Sequence, residues 1–218
     1  MQFVMRQKSF DDYLKATEVI DHTDLKIQFV AQFLMNRMMQ KLSDHPEDMF
    51  SDPEIELARM TYEFVRDKIG HSIDISGKYV TWKATDVLVK KEGICYAKSH
   101  LLAALLRANG IPAGLCYQYL RRDGSEQTEL ILHGLNAVYF DSLGDWIRLD
   151  ARGNKPGVNA QFSIDEEILA FPIRPDMGEM DVPFIFADPD RAILYALKNH
   201  ESVSELVQHL PMALLGDS

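Results

Sequence analysis

Residues 93–112, Gly-Ile-Cys-Tyr-Ala-Lys-Ser-His-Leu-Leu-Ala-Ala-Leu-Leu-Arg-Ala-Asn-Gly-Ile-Pro, form the stretch on which the fold turns. Alanine and leucine are strong helix formers, and Gly110 followed by Pro112 is a clean stop. Between Leu101 and Leu106 there is little polar surface. A helix that is apolar nearly all round belongs inside a protein, so this one is predicted to be the central helix. Cys95 stands at its start, directly after Gly93-Ile94.

Upstream, residues 23–44 read as an amphipathic helix, with Leu25, Phe29, Phe33 and Leu34 at helical spacing and His45-Pro46 closing it. Ser51-Asp52-Pro53-Glu54 opens a second helix with a capping side chain and an early proline. It runs through Ile55, Met60, Phe64 and Val65 to about Gly70. Thr85-Asp86 opens a short helix through Val87 and Leu88 that ends near Gly93. Downstream lie three strands, 113–121, 133–140 and 145–150, separated by turns at Asp123-Gly124 and Asp141–Gly144. Helices first and strands later predict an α+β fold, an antiparallel sheet packed on the central helix with extra helices at both ends. Residues 171–189 read as an ordered connector to a final helical segment at about 189–209. The Val-Pro-Phe-Ile-Phe-Ala patch at 182–187 is too apolar to leave in water at ~25 cal/mol per Å², so it is expected to pack back onto the core. The chain is expected to be a single domain over 1–218. Its parts are a helical region (1–84), a catalytic core (85–170) and a C-terminal connector with helix (171–218).

With 218 residues, 46% hydrophobic and 26% charged, the composition is that of a globular protein with a proper core. The net charge of −10 and the lack of a Lys/Arg stripe argue against nucleic acid and point to neutral or cationic partners. Two cysteines make no disulfide framework and no CxxC metal pattern. The opening Met-Gln-Phe-Val-Met-Arg-Gln-Lys lacks a signal peptide's apolar stretch, and no uncharged run is long enough for a bilayer. A cytoplasmic protein with no membrane contact is the expectation.

A cysteine at a helix start sits among unpaired N–H groups and the positive end of the helix dipole, which favours its thiolate. Its bland alternative is a small buried hydrophobe, which is how Cys116 reads, inside an apolar strand. A nucleophilic thiol needs a base oriented by a third group. His100 is five residues along the same helix, so it points roughly 140° away from Cys95. His22, His45, His200 and His209 read as surface residues, and His71 is a reserve candidate. His133 opens the 133–140 strand, where it can face a neighbouring element; a structural histidine is its alternative. Asp150 ends the 145–150 strand, well placed to orient an imidazole, with an Arg152 salt bridge as its alternative. Asn136, three residues from His133 on one strand, faces the other side.

At this point the sequence resembles the transglutaminase-like superfamily, in particular its small bacterial cysteine-peptidase-like members. The matching blocks are TDVLVKKEGICYAKSHLLAALLRANGIPAG (85–114), HGLNAVYF (133–140) and WIRLDARGNK (146–155), with weaker similarity at YEFVRDKI (62–69). The resemblance implies a papain-like core and a Cys-His-Asp triad, carried over to Cys95, His133 and Asp150. It implies thiolate attack on a peptide or glutamine-type amide to give a thioester, completed by water or by an amine; of the two, hydrolysis is the expectation here. It implies no cofactor, and a peptide or protein amide as partner. One oxyanion donor would be the Cys95 backbone N–H, with Trp82 or Gln118 as candidates for the second.

Two other readings stay open. An arylamine-type acetyltransferase uses the same triad, but its Arg-Gly-Gly-x-Cys signature is replaced here by Lys91-Glu92-Gly93-Ile94-Cys95. A noncatalytic binding module on the same fold is the second. Zinc binding by the same three residues lacks a fourth ligand, and no calcium loop of the Asp-x-Asp-x-Asp-Gly type occurs.

Overall fold

The computed structural model describes residues 3–7, 9–45, 52–122 and 129–216. Pro46, Ser51 and the Asp123-Gly124 turn lie outside them. In chain order the elements are β1 (Val4–Met5), α1 (Leu25–Asp44), α2 (Pro53–Lys68), β2 (Gly70–His71), α3 (Ala84–Lys90), β3 (Glu92–Gly93), α4 (Cys95–Ala108), β4 (Ala113–Arg121), β5 (Leu130–Phe140), β6 (Asp145–Leu149), β7 (Met180–Asp181), β8 (Phe184–Ile185), α5 (Arg191–Asn199) and α6 (Val203–Gln208). The fold is α+β, with the antiparallel sheet β6-β5-β4-β7 packed on α4.

Every α4 residue from Tyr96 to Arg107 is buried, as the apolar sequence requires. On one side α4 meets Leu57, Ala58, Tyr62 and Val65 of α2 and the buried stripe Ile27, Ala31, Leu34 and Met38 of α1. That stripe corrects the sequence reading of α1. Leu25, Phe29 and Phe33 recur at helical spacing but are 84%, 74% and 49% exposed. Two apolar stripes at compatible spacing lie on this helix, and packing against the core selects one of them. The N-caps follow the expected chemistry, Asp24 accepting from the Lys26 N–H and Asp52 from the Glu54 N–H, each at 2.8 Å. The short helix α3 stops earlier than Gly93, because Lys91 takes a left-handed conformation (φ 57°).

The loop after α4 returns the chain along its own helix. Fourteen residues of helix cover about 21 Å at 1.5 Å each. A strand covers that distance in about six residues, so β4, leaving Ala113, draws level with the helix start near Tyr119. Tyr119 pairs with Leu132 of β5. The start of α4 therefore abuts β5 around Leu132–Gly134, and the Tyr96 ring lies where Gly134 has no side chain. A Cβ on Gly134 would come within 2.6 Å of that ring.

The β5 strand begins at Leu130, three residues before the predicted boundary, because Leu130-Ile131-Leu132 continue the pairing with Arg121–Tyr119. β6 pairs only with 136–140, leaving the first half of β5 with an open edge on that side. The edge is closed by other means: the Leu132 N–H donates to the Pro211 carbonyl at 2.8 Å, and the Tyr96 hydroxyl donates to the Leu132 carbonyl. The C-terminal patch packs back onto this core. Val182 and Phe186 join the α4 cluster, Ile185 joins the opposite sheet face, and Leu115 and Phe186 exchange both backbone hydrogen bonds. The final segment is two helices, interrupted at His200–Ser202, where Ser202 caps α6. No helix among the described residues is long and apolar enough to cross a membrane.

Candidate active site

Cys95 is the first residue of α4, half-buried, behind an N-cap (Ile94) that offers no side-chain acceptor to the first-turn N–H groups. Alternation along β5 sends Leu132, Asn136 and Val138 toward α4, and Leu135 and Ala137 toward the other face. His133 shares the second set, pointing away from the body of the helix. It still meets the thiol, because Cys95 sits at the helix start beside the edge that β6 leaves open. The two side chains are near enough to interact, and Cys95 is among the groups that favour the charged ring. The other ring nitrogen, Nε2, lies 2.8 Å from Asp150 Oδ2.

Asp150 follows the last β6 residue, Leu149, and is buried. Its carboxylate also accepts the Arg152 N–H at 3.0 Å and the Ala170 N–H at 3.1 Å. Burial works against its charge, yet His133 and these two donors hold its pKa below the usual carboxylate value. For His133, burial disfavours the cation, but Asp150 and Cys95 more than offset it and raise the imidazole to about 10. The ring is steadied by the edge-on Phe171, centroids 5.1 Å apart. Arg152, the predicted rival partner of Asp150, instead sends its guanidinium to Asp74 at 2.5 and 3.0 Å.

The remaining candidates are dispersed. Cys116 is fully buried on the far sheet face, and burial pushes its thiol up to about 12. Asn136 faces α4, donating to the Ser99 and Gly114 carbonyls. His100 is buried against the Trp82 carbonyl, 2.8 Å away, and burial lowers it to about 4. His71 lines the same groove as Cys95; burial first, then Arg152, lowers it to about 3, so it is neutral, and its acid neighbour is Asp74. Trp82 packs under Lys83 and Lys198. Gln118 is buried opposite His133 and donates to Asp181 at 2.9 Å. Neither borders the groove. Sequence reasoning missed Ala170 and Phe171, which lie in a segment without periodicity.

Cys95 and His133 open into a groove of about 630 Å³, walled by residues of β4, β5, the loop after β6 and the 171–179 connector. Among the described residues no cluster of three or more His, Cys, Asp or Glu is arranged to hold a metal ion.

Residues 46–151 match the family model of the transglutaminase-like superfamily, a span that contains Cys95, His133 and Asp150. No curated protein matches the chain. Among solved structures, a candidate cysteine protease from Cytophaga hutchinsonii is similar over 67% of this chain and 43% of its own, at 19% identity and a TM-score of 0.48. A candidate protease from Parabacteroides distasonis is similar over 75% of this chain and 30% of its own, at 16% identity and a TM-score of 0.37. This chain spans less than half the length of either.

Proposed function

From the match of residues 46–151 to the transglutaminase-like superfamily model we propose that the protein is a cysteine-dependent acyl-transfer enzyme acting on peptide or glutamine-type amides. The observation that carries the proposal is the buried His133–Asp150 pair, 2.8 Å apart, with His133 sharing the wall of an open groove with a thiol at a helix start.

In this reading His133 takes the proton of the Cys95 thiol. The sulfur attacks the amide carbonyl carbon, and the carbonyl electrons move onto oxygen, where the Cys95 backbone N–H donates to the oxyanion. As the tetrahedral species collapses, His133 gives its proton to the leaving nitrogen and the C–N bond breaks. The acyl group remains as a thioester and the amine departs. His133, now neutral, takes a proton from water, whose oxygen attacks the thioester. Collapse expels the thiolate and restores the imidazolium. Asp150 stays ionised throughout, fixing the ring and stabilising its cation. Water is the favoured acceptor, since the groove is open to it.

The test is thiol labelling. Iodoacetamide at limiting concentration should modify Cys95 rapidly and leave Cys116 untouched in the folded protein, because only Cys95 has an imidazole partner and a route to solvent. Mass spectrometry of the digested protein reads the site. His133→Ala should slow labelling by about tenfold or more at neutral pH, through loss of the stabilising cation. Fast labelling that survives in Cys95→Ser, or that disappears in Cys116→Ser, would show that the wrong cysteine has been assigned. A thiol at Cys95 no faster than free cysteine would favour a noncatalytic binding module.

A further inference from the structure

The overall charge of this chain hides a local reversal. Among the described residues that wall the groove, Arg121, Arg122, Arg152, Lys155 and Arg174 are cationic, while Glu179 is the one carboxylate. In a protein with 33 acidic and 23 basic residues, a random surface would show the opposite balance. Among the described residues, Glu179 and Asp74, the acids bonded to these cations, are already engaged. Glu179 accepts from the Arg174 guanidinium, from the Arg174 N–H at 2.7 Å and from the Arg121 N–H at 3.0 Å. Asp74, behind the other wall, is shared by Arg152 and by Lys155, which reaches it at 2.8 Å. One carboxylate facing two cations leaves one positive charge over. The Arg121 guanidinium spends its Nε on the Met177 carbonyl, a neutral acceptor. Positive charge therefore remains at two places, the end of β4 and the loop after β6.

Between these places the walls are apolar, with Leu120, Ile131 and Leu210 among them. A cleft lined by one sign of charge with low-dielectric walls focuses its field on whatever enters. We propose that the groove selects acidic peptide segments, with Asp or Glu side chains within a few residues of the reacting amide and apolar side chains between them. The position of the amide rests on the acyl-transfer reading of Cys95; the charge preference rests on the groove walls alone. A nucleic acid fits less well. Its phosphates form a continuous run, whereas the cations here come in two groups separated by apolar surface on a protein of net charge −10.

Binding and cleavage test the two layers separately. Cys95→Ser protein is titrated into equal-length peptides carrying a neutral fluorophore, one Glu-rich, one with Gln at those positions and one with Lys. Fluorescence anisotropy at low salt should show the Glu peptide binding about tenfold tighter than the Gln peptide, most of that gap closing near ~0.5 M salt as screening sets in. Arg122→Glu should remove most of the preference. Lys155→Gln, on the other wall, should reduce it a few-fold, and circular dichroism confirms that each variant is folded. Equal affinity for the Glu and Gln peptides, or a preference that neither variant moves, overturns the inference. So does tighter binding of an oligothymidylate of the same length, which would make the groove a nucleic-acid site. Glu-peptide binding without hydrolysis by the unmodified protein upholds the charge preference and sinks the acyl-transfer reading. Hydrolysis indifferent to acidic residues does the reverse.

Discussion

Cys95→Ser should lower kcat/KM for a peptide amide by about 10⁴- to 10⁶-fold, the scale seen when a nucleophile is removed from a catalytic unit. The two side chains differ little in size, so the thermal unfolding midpoint should hardly change. What is lost is acidity. A thiol can give its proton to a nearby imidazole and persist as an anion at the start of α4. A serine hydroxyl cannot, and nothing else in the site ionises in its place. His133→Ala should cost nearly as much, because in the proposed mechanism the same ring takes the thiol proton and later protonates the leaving nitrogen. Cys116→Ser should leave turnover intact and touch only stability, as befits a buried strand residue. Turnover by Cys95→Ser above about a hundredth of the parent rate would place the chemistry elsewhere.

Asp150→Ala should damage both stability and the pH profile. The carboxylate is buried and holds His133 Nε2, the Arg152 N–H and the Ala170 N–H. Removing it strands a buried cation and two buried donors, a loss on the order of 3–5 kcal/mol at neutral pH. The pH dependence follows from the two shifts. The imidazole is raised to about 10 when folded, against ~6.5 for an ordinary histidine. Its stabilisation is complete below the lower value and disappears as pH rises through the higher one. The Asp150 share is present above the ordinary carboxylate pKa and is lost in acid, since folding lowers that group. The gap in melting temperature between parent and variant should therefore be widest at about pH 4–6.5, between the ordinary carboxylate and histidine values, and narrow toward pH 10 and in stronger acid. In the variant the alkaline limb of kcat/KM should also move down from about pH 10, because the cation has lost its partner. Asp150→Asn should be milder, since an amide still holds the ring. Calorimetry across pH, with pH–rate profiles, checks both parts. An Asp150→Ala protein that melts with the parent, or whose alkaline limb stays in place, would remove Asp150 from the pair.

What the sequence discloses depends on whether a residue's type or only its position does the work. Strand 113–121 and the buried α4 are legible because apolar runs and the Gly110–Pro112 stop are written in residue types. The His133–Asp150 contact and the place of Cys95 at a helix start are legible for a related reason: each residue stands in a strand or at the end of an element, where it can face a neighbour. The supports of Asp150 are not legible, because a backbone N–H such as that of Ala170 carries no residue signature. Nor is the buried face of α1, where two stripes satisfy one periodicity. The groove charge escapes for a third reason. Arg121, Arg122, Arg152, Lys155 and Arg174 are scattered along the chain, so a net charge that points to neutral or cationic partners says nothing of the wall they build together.

The open edge of β5 has a consequence in time. Leu132 is closed off by Pro211 and Tyr96, while the neighbouring His133 depends on Asp150, and Asp150 in turn on Ala170. Contacts this distant in sequence form late, because the intervening chain must be ordered first. Until then Cys95 lacks the imidazole that the proposed mechanism requires. Rapid iodoacetamide labelling should thus return during refolding only with the final tertiary signal; its return ahead of that signal would refute the order. On the proposed reading the sequence of events is protective. An unfolded chain is a string of accessible amides, and the proposed nucleophile would ripen only after its own backbone has been put out of reach.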